Sequence, residues 1–218
     1  MNLHDAKAAI CATGASLYAR GYVHASAGNI SMRLEDGSFL ITPTDACLGN
    51  LQAAELAHVA HVLQISGARA SKTLALHQAI YAAEPNARCI IHTHATNLVS
   101  LTLQGVWQAD DIVPPITPYY VMKVGHVPLV PYHRPGHPEV ARLVTALIEN
   151  RQAQGKPLRG VMLDRLGPVV WHDSPAQASA VLEELEETAK LWLMSQRQAT
   201  PLSESQIEDL RQSFGALW

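Results

Sequence analysis

Apolar positions along the chain alternate between helical and extended spacing. The first segment, about Leu3 to Arg20, has helical spacing and stops at Gly21. Small, polar and β-branched residues then dominate from Tyr22 to Thr44, and Asp36-Gly37 between the runs Ile30 to Leu34 and Ser38 to Thr42 signals a hairpin. A short helix is expected over Gln52 to Ala57 and a strand over Val59 to Ile65. Thr73 to Ala83 reads as a helix ended by Glu84-Pro85-Asn86, Ala87 to Thr93 as a buried strand, and Thr96 to Gln104 as the next helix. Pro114, Pro115 and Pro118 make the middle irregular, and Val127 to Val130 is a short strand before Pro131. Pro138 to Gln154 is helical, with proline in its first turn. Gly160 to Trp171 holds two apolar runs parted by Asp164-Arg165-Leu166-Gly167, a turn or bulge at a strand end. Ser174-Pro175-Ala176-Gln177 has the capping-box form and opens a long helix to about Arg197; Ser203 to Gln206 repeats that spacing for a last helix. Strands interleaved with helices, plus a hairpin, predict one α/β layered domain over residues 1–218.

Composition narrows the function classes. With 218 residues, 48% hydrophobic and 16% charged, the chain is long enough to bury a full core, and disordered, collagen-like and disulfide-scaffold readings fail. A formal net charge of −3 provides no basic field for a phosphate backbone, so no nucleic acid partner is expected. No apolar run approaches the ~18 residues of a membrane span, and no membrane partner is expected. The apolar stretch Ala8 to Ala19 is preceded only by Lys7, with Asp5 nearby, and reads as an amphipathic helix rather than a signal peptide. Cys11, Cys47 and Cys89 show no CxxC spacing and read as small buried residues of a reduced, cytoplasmic protein.

Eleven histidines against two phenylalanines direct attention to imidazole chemistry. His92-Thr93-His94 is the sharpest local signal, because side chains two apart on a strand share a face and can converge on one ion; two strand-end histidines bonded to backbone are the alternative. A catalytic zinc normally has three protein ligands, so a third must come from elsewhere. Ser26-Ala27-Gly28-Asn29-Ile30-Ser31 is a small-residue turn whose N–H groups can form an anion nest, or a plain turn. Ser71-Lys72 sits directly before a helix, where unpaired N–H groups and the dipole favour an anion, and Thr42-Pro43-Thr44-Asp45 offers hydroxyls at a strand end.

In order and spacing these pieces resemble the class II aldolase/adducin-head family, nearest within it to the 3-oxo-tetronate 4-phosphate decarboxylase branch. The resemblance also runs through Cys47 to Leu51, Thr117-Pro118-Tyr119, Pro128 to Tyr132 and Glu183 to Lys190. It implies a three-layer α/β/α domain with a mixed central sheet and a carbon–carbon lyase that gives dihydroxyacetone phosphate and CO2 through a metal-stabilised enediolate. It further implies a divalent metal, zinc or else manganese, on His92 and His94, and a phosphorylated sugar-acid substrate cradled by Gly28, Asn29, Thr44, Ser71 and Lys72. A homotetramer with Tyr119 near the substrate belongs to the same expectation. The chain departs from the family in two places: Thr73 stands at the position of a catalytic glutamate, and Leu166 at that of the third metal histidine. His77, one turn beyond Thr73, and Asp164 are the candidate replacement ligands, and Arg165 a candidate for a substrate carboxylate. Two other readings stay open: a catalytically impaired paralogue kept for binding or assembly, and a sugar-phosphate aldolase.

Overall fold

The computed structural model describes residues 1–61 and 63–218. Eight strands form one mixed sheet in the order β4-β3-β2-β1-β5-β8-β7-β6. They are β1 (Asn29–Arg33), β2 (Phe39–Ile41), β3 (Ala57–Ala60), β4 (Leu63–Ser66), β5 (Cys89–His92), β6 (Leu129–Val130), β7 (Gly160–Leu163) and β8 (Gly167–His172). Neighbours pair antiparallel except β6 and β7, which run parallel. The helices are α1 (Leu3–Ala19), α2 (Leu74–Ala83), α3 (Thr96–Gln104), α4 (Pro138–Ala153), α5 (Pro175–Met194) and α6 (Glu204–Phe214).

Strand alternation divides the core into two. On β5 and β8, Ile91 and Val170 join the layer formed with α1, α3 and α5, whereas Ile90, Val169 and Trp171 face α2 and α4. A sheet covered on both faces needs continuous apolar strands, and every residue of β5 is buried. This is the three-layer α/β/α arrangement with a mixed sheet. Side-chain caps set the helix starts: Asn2 accepts from Asp5 N, Ser174 from Gln177 N, and Ser203 with Gln206 closes a full capping box.

Three expectations are corrected. Residues 52–57 do not form a helix. A single turn, Glu55 N to Gln52 O, gives way to the sheet once Leu56 and Ala57 are buried and Ala57 pairs with Ile41. The region 59–65 is two antiparallel strands rather than one, because the backbone reverses at His61 (φ 46°); Val62, within that expectation, lies outside the described residues. Near the prolines, Tyr120–Val124 forms a π-helical turn, and β6 keeps only Leu129 and Val130 of the expected strand. No helix among the described residues is long and apolar enough to cross a membrane.

Two glycines fix how closely strands pack at one end of the sheet. A Cβ on Gly167 (φ 131°) would stand 2.0 Å from the Thr93 carbonyl oxygen, and one on Gly28 (φ 83°) 2.7 Å from that of His92. Gly167→Ala is therefore expected to destabilise the fold by about 3 kcal/mol or more, or to prevent folding, through steric overlap and backbone strain. Chemical denaturation checks this, and a loss below ~1 kcal/mol would contradict it.

Candidate active site

The C-terminal end of β5 opens into a cleft of about 180 Å³. Asn29, first residue of β1, pairs across the ladder with His92, last residue of β5, so the Gly28-Asn29 turn is delivered beside the imidazoles. The loop after β2 and the start of α2 close the opposite side, held by a bridge between Pro43 and Ala70 and by Ser71 N donating to Thr42 O. Gly28, Asn29, Thr44, Ser71, Lys72, Thr73, His92 and His94 all line this cleft.

The imidazole side is neutral. His92 is almost fully buried, and its Nδ1–H donates to Pro168 O at 2.8 Å, which leaves Nε2 with the free lone pair. Burial, and to a lesser extent His94, lowers its pKa to about 4. The ring centroids of His92 and His94 are 5.1 Å apart, and His24 stands 6.4 Å beyond His94. Burial, then His24, lowers the pKa of His94 also.

The other side is rich in donors. Ser71 Oγ accepts from Thr73 N at 3.3 Å and shares a 3.0 Å hydrogen bond with Thr73 Oγ1, so the two hydroxyls hold the approach to α2 at the cleft. Lys72 Nζ pairs with Asp45 Oδ1 at 3.0 Å, both side chains more than half exposed. An exposed pair of this kind contributes little, so Lys72 can exchange Asp45 for a bound anion at small cost. Asp45 as partner of Lys72 has no local signal in sequence. Its φ of 58°, a conformation that aspartate tolerates, belongs to the turn that brings it there.

Not every expected residue joins the cleft. Tyr119 is 60% exposed just before the π-helical turn and is not among the lining residues. His77 is no replacement ligand: both its ring nitrogens are engaged, by Asn29 and Ser31. Leu166 does line the cleft, following Arg165 (φ 61°) in the β7–β8 turn. Leu166 presents an apolar side chain where a third donor would be needed, and no group of three His, Cys, Asp or Glu among the described residues could hold a metal ion. The donor set of His92 and His94 thus falls short of a protein-held three-ligand centre.

A family model described as "Class II Aldolase and Adducin N-terminal domain" matches residues 8–193. A 3-oxo-tetronate 4-phosphate decarboxylase of Cupriavidus necator is 54% identical over 217 residues, covering 96% of this chain and 95% of that protein. One from Escherichia coli is 40% identical over 199 residues, 90% of each chain. The crystal structure of YgbL from Escherichia coli superposes with a TM-score of 0.88 at 36% identity, covering 96% of this chain and 99% of that one.

The neutral rings give stability a pH dependence. His77, buried and near His92, has its pKa lowered to about 3, and His92 to about 4, whereas in the unfolded chain both take up protons near 6.5. The unfolded state then binds more protons below 6.5, so stability falls as pH drops through this window. The expected loss is up to roughly 1 kcal/mol per pH unit for each ring. Denaturant midpoints from pH 8 to 4 measure it, and a flat profile below pH 6 would contradict the burial of two neutral imidazoles.

Proposed function

Because this chain belongs to the class II aldolase and adducin N-terminal domain family, we propose that it is a carbon–carbon lyase that decarboxylates a 3-oxo-tetronate 4-phosphate. The observation that carries the reading is a single cleft that brings anion-binding groups from both of its walls together with a neutral imidazole pair. The phosphate lies against Gly28, Asn29, Thr44, Ser71 and Lys72, which directs the carbon chain of the substrate toward His92 and His94. The C1–C2 bond breaks, its electron pair passes into the 3-keto group, CO2 leaves and an enediolate remains. A proton taken from solvent water onto carbon 2 completes dihydroxyacetone phosphate.

The chain's own groups fit distinct parts of this step. His92 Nε2, an acceptor because Nδ1–H is committed to Pro168, takes a hydrogen bond from the 2-hydroxyl. His94, kept neutral by burial, can turn a ring N–H toward the 3-oxygen as charge develops there. Thr73 has no acid/base role, since its hydroxyl does not ionise near pH 7; it holds Ser71. This favours decarboxylation over aldol cleavage, because loss of CO2 needs no initial deprotonation. A divalent ion, zinc or else manganese, would find only His92 and His94 as protein ligands here. Tyr119, exposed outside the cleft, is assigned to the substrate site of a neighbouring subunit in a homotetramer. The whole of residues 1–218 acts as one domain, in the cytoplasm.

Activity and variant measurements test the reading. Purified protein supplied with 3-oxo-tetronate 4-phosphate is expected to release CO2 and dihydroxyacetone phosphate in equal amounts. Lys72→Ala is expected to raise KM roughly 10- to 100-fold with kcat little changed, the effect of losing a charge-assisted phosphate contact. If only a Thr73→Glu/Leu166→His double variant releases CO2, the natural chain is the impaired paralogue. Leu166→His alone is expected to tighten zinc binding by at least about tenfold, measured by competition with a chromophoric chelator. Unchanged affinity would show that position 166 does not face the imidazole pair.

A further inference from the structure

Behind the anion cradle lies a buried polar ladder that the proposed chemistry does not use. His77 on α2 is fully buried, with Nε2 2.6 Å from Asn29 Oδ1 and Nδ1 2.7 Å from Ser31 Oγ. Ser31 Oγ is in turn 2.9 Å from the Tyr81 hydroxyl. Asn29 and Ser31 are two apart on β1, and His77 and Tyr81 four apart on α2, so each pair shares a face of its element. The directions follow from one end. An amide oxygen only accepts, so His77 Nε2 carries the proton and Nδ1 accepts from Ser31 O–H, while Ser31 Oγ accepts from Tyr81 O–H.

Placing four polar groups between a strand and a helix is costly unless every one is satisfied, and apolar side chains would fill this layer at lower cost. What the ladder delivers is at its end in the cleft. Asn29 is 5% exposed and lines the cleft; its Oδ1 is taken by His77, and its Nδ2 has no partner among the described residues. An amide free to rotate by 180° would present either oxygen or nitrogen to a ligand. The unprotonated oxygens of a phosphate, which carry its charge, only accept, so the flipped amide would turn a repelling oxygen toward them.

We propose that His77 is a positioning residue for the phosphate, holding the Asn29 amide with its –NH2 turned into the cleft. It rests on the phosphate reading above. Two variants split the ring's functions. The side-chain amide introduced by His77→Gln places a donor near the site of Nε2 and retains the bond to Asn29, whereas the shorter side chain of His77→Asn reaches only toward Ser31.

Inorganic phosphate binding is measured by calorimetry on the wild type and both variants, with substrate kinetics in parallel. The expected result is a phosphate Kd and substrate KM raised about tenfold in His77→Asn, with kcat within ~2-fold, and both constants within ~3-fold of wild type in His77→Gln. Equal phosphate affinity in all three proteins overturns the proposal alone. Equal loss in both variants overturns it too, by reducing His77 to a core residue. Failure of the wild type to bind phosphate overturns the phosphate reading and the proposal with it. Should either variant fail to fold, phosphate titration of the wild type decides through the side-chain 15N–1H resonances of Asn29. They shift if the –NH2 faces phosphate, and their constancy overturns the proposal.

Discussion

The site depends on how tightly the end of β5 is gripped by its two neighbours. Gly28 on one side and Gly167 on the other bring backbone to within a distance of the His92 and Thr93 carbonyls that no Cβ would allow. This close approach fixes His92 opposite Asn29 and lets Pro168 O reach the His92 ring. Were the strands spread to accommodate side chains there, the anion turn and the imidazoles would belong to separate surfaces. Backbone sterics at two residues thus precede any charge or hydrogen bond in building the cleft.

The electrostatics of the cleft follow from that geometry. His92, at the end of a strand in a sheet covered on both faces, loses solvent, and loss of solvent keeps it neutral. The charge that attracts an anion comes instead from the open side, where Lys72, just before α2, remains hydrated. One wall accordingly suits a hydroxyl donor at His92 Nε2 and an oxygen acceptor at His94, the other negative charge. A substrate bearing a phosphate at one end and oxygens at the other matches this asymmetry in only one orientation.

Much of this was legible in the sequence, and the reasons differ by element. Helix starts at Ser174 and Ser203 were readable because capping is local chemistry; the His92/His94 pair stood out by its spacing, although β5 ends at His92 and His94 lies in the loop beyond it. The cleft residues 28, 29, 44, 71, 72, 92 and 94 were identified through motif order and are found together. The β3–β4 hairpin was missed because its strands are four residues each, too short for a period to stand out, and all of β4 is exposed. Tyr119 could not be placed near the cleft of its own chain. The Asn29–His77 bond spans 48 residues of sequence and has no pattern of its own. Leu166 was visible as a departure, but only the fold shows that it forms part of the wall.

The ladder from Asn29 through His77 and Ser31 to Tyr81 has a mechanical consequence. It joins β1 to α2, and these carry opposite walls of the cleft: Asn29 on one, Ser71 and Lys72 at the head of the other. The two walls are therefore stapled from behind, at a depth that solvent does not reach. A ligand entering between them meets a jaw already set at its working width, and little of its binding free energy is consumed in bringing the walls together.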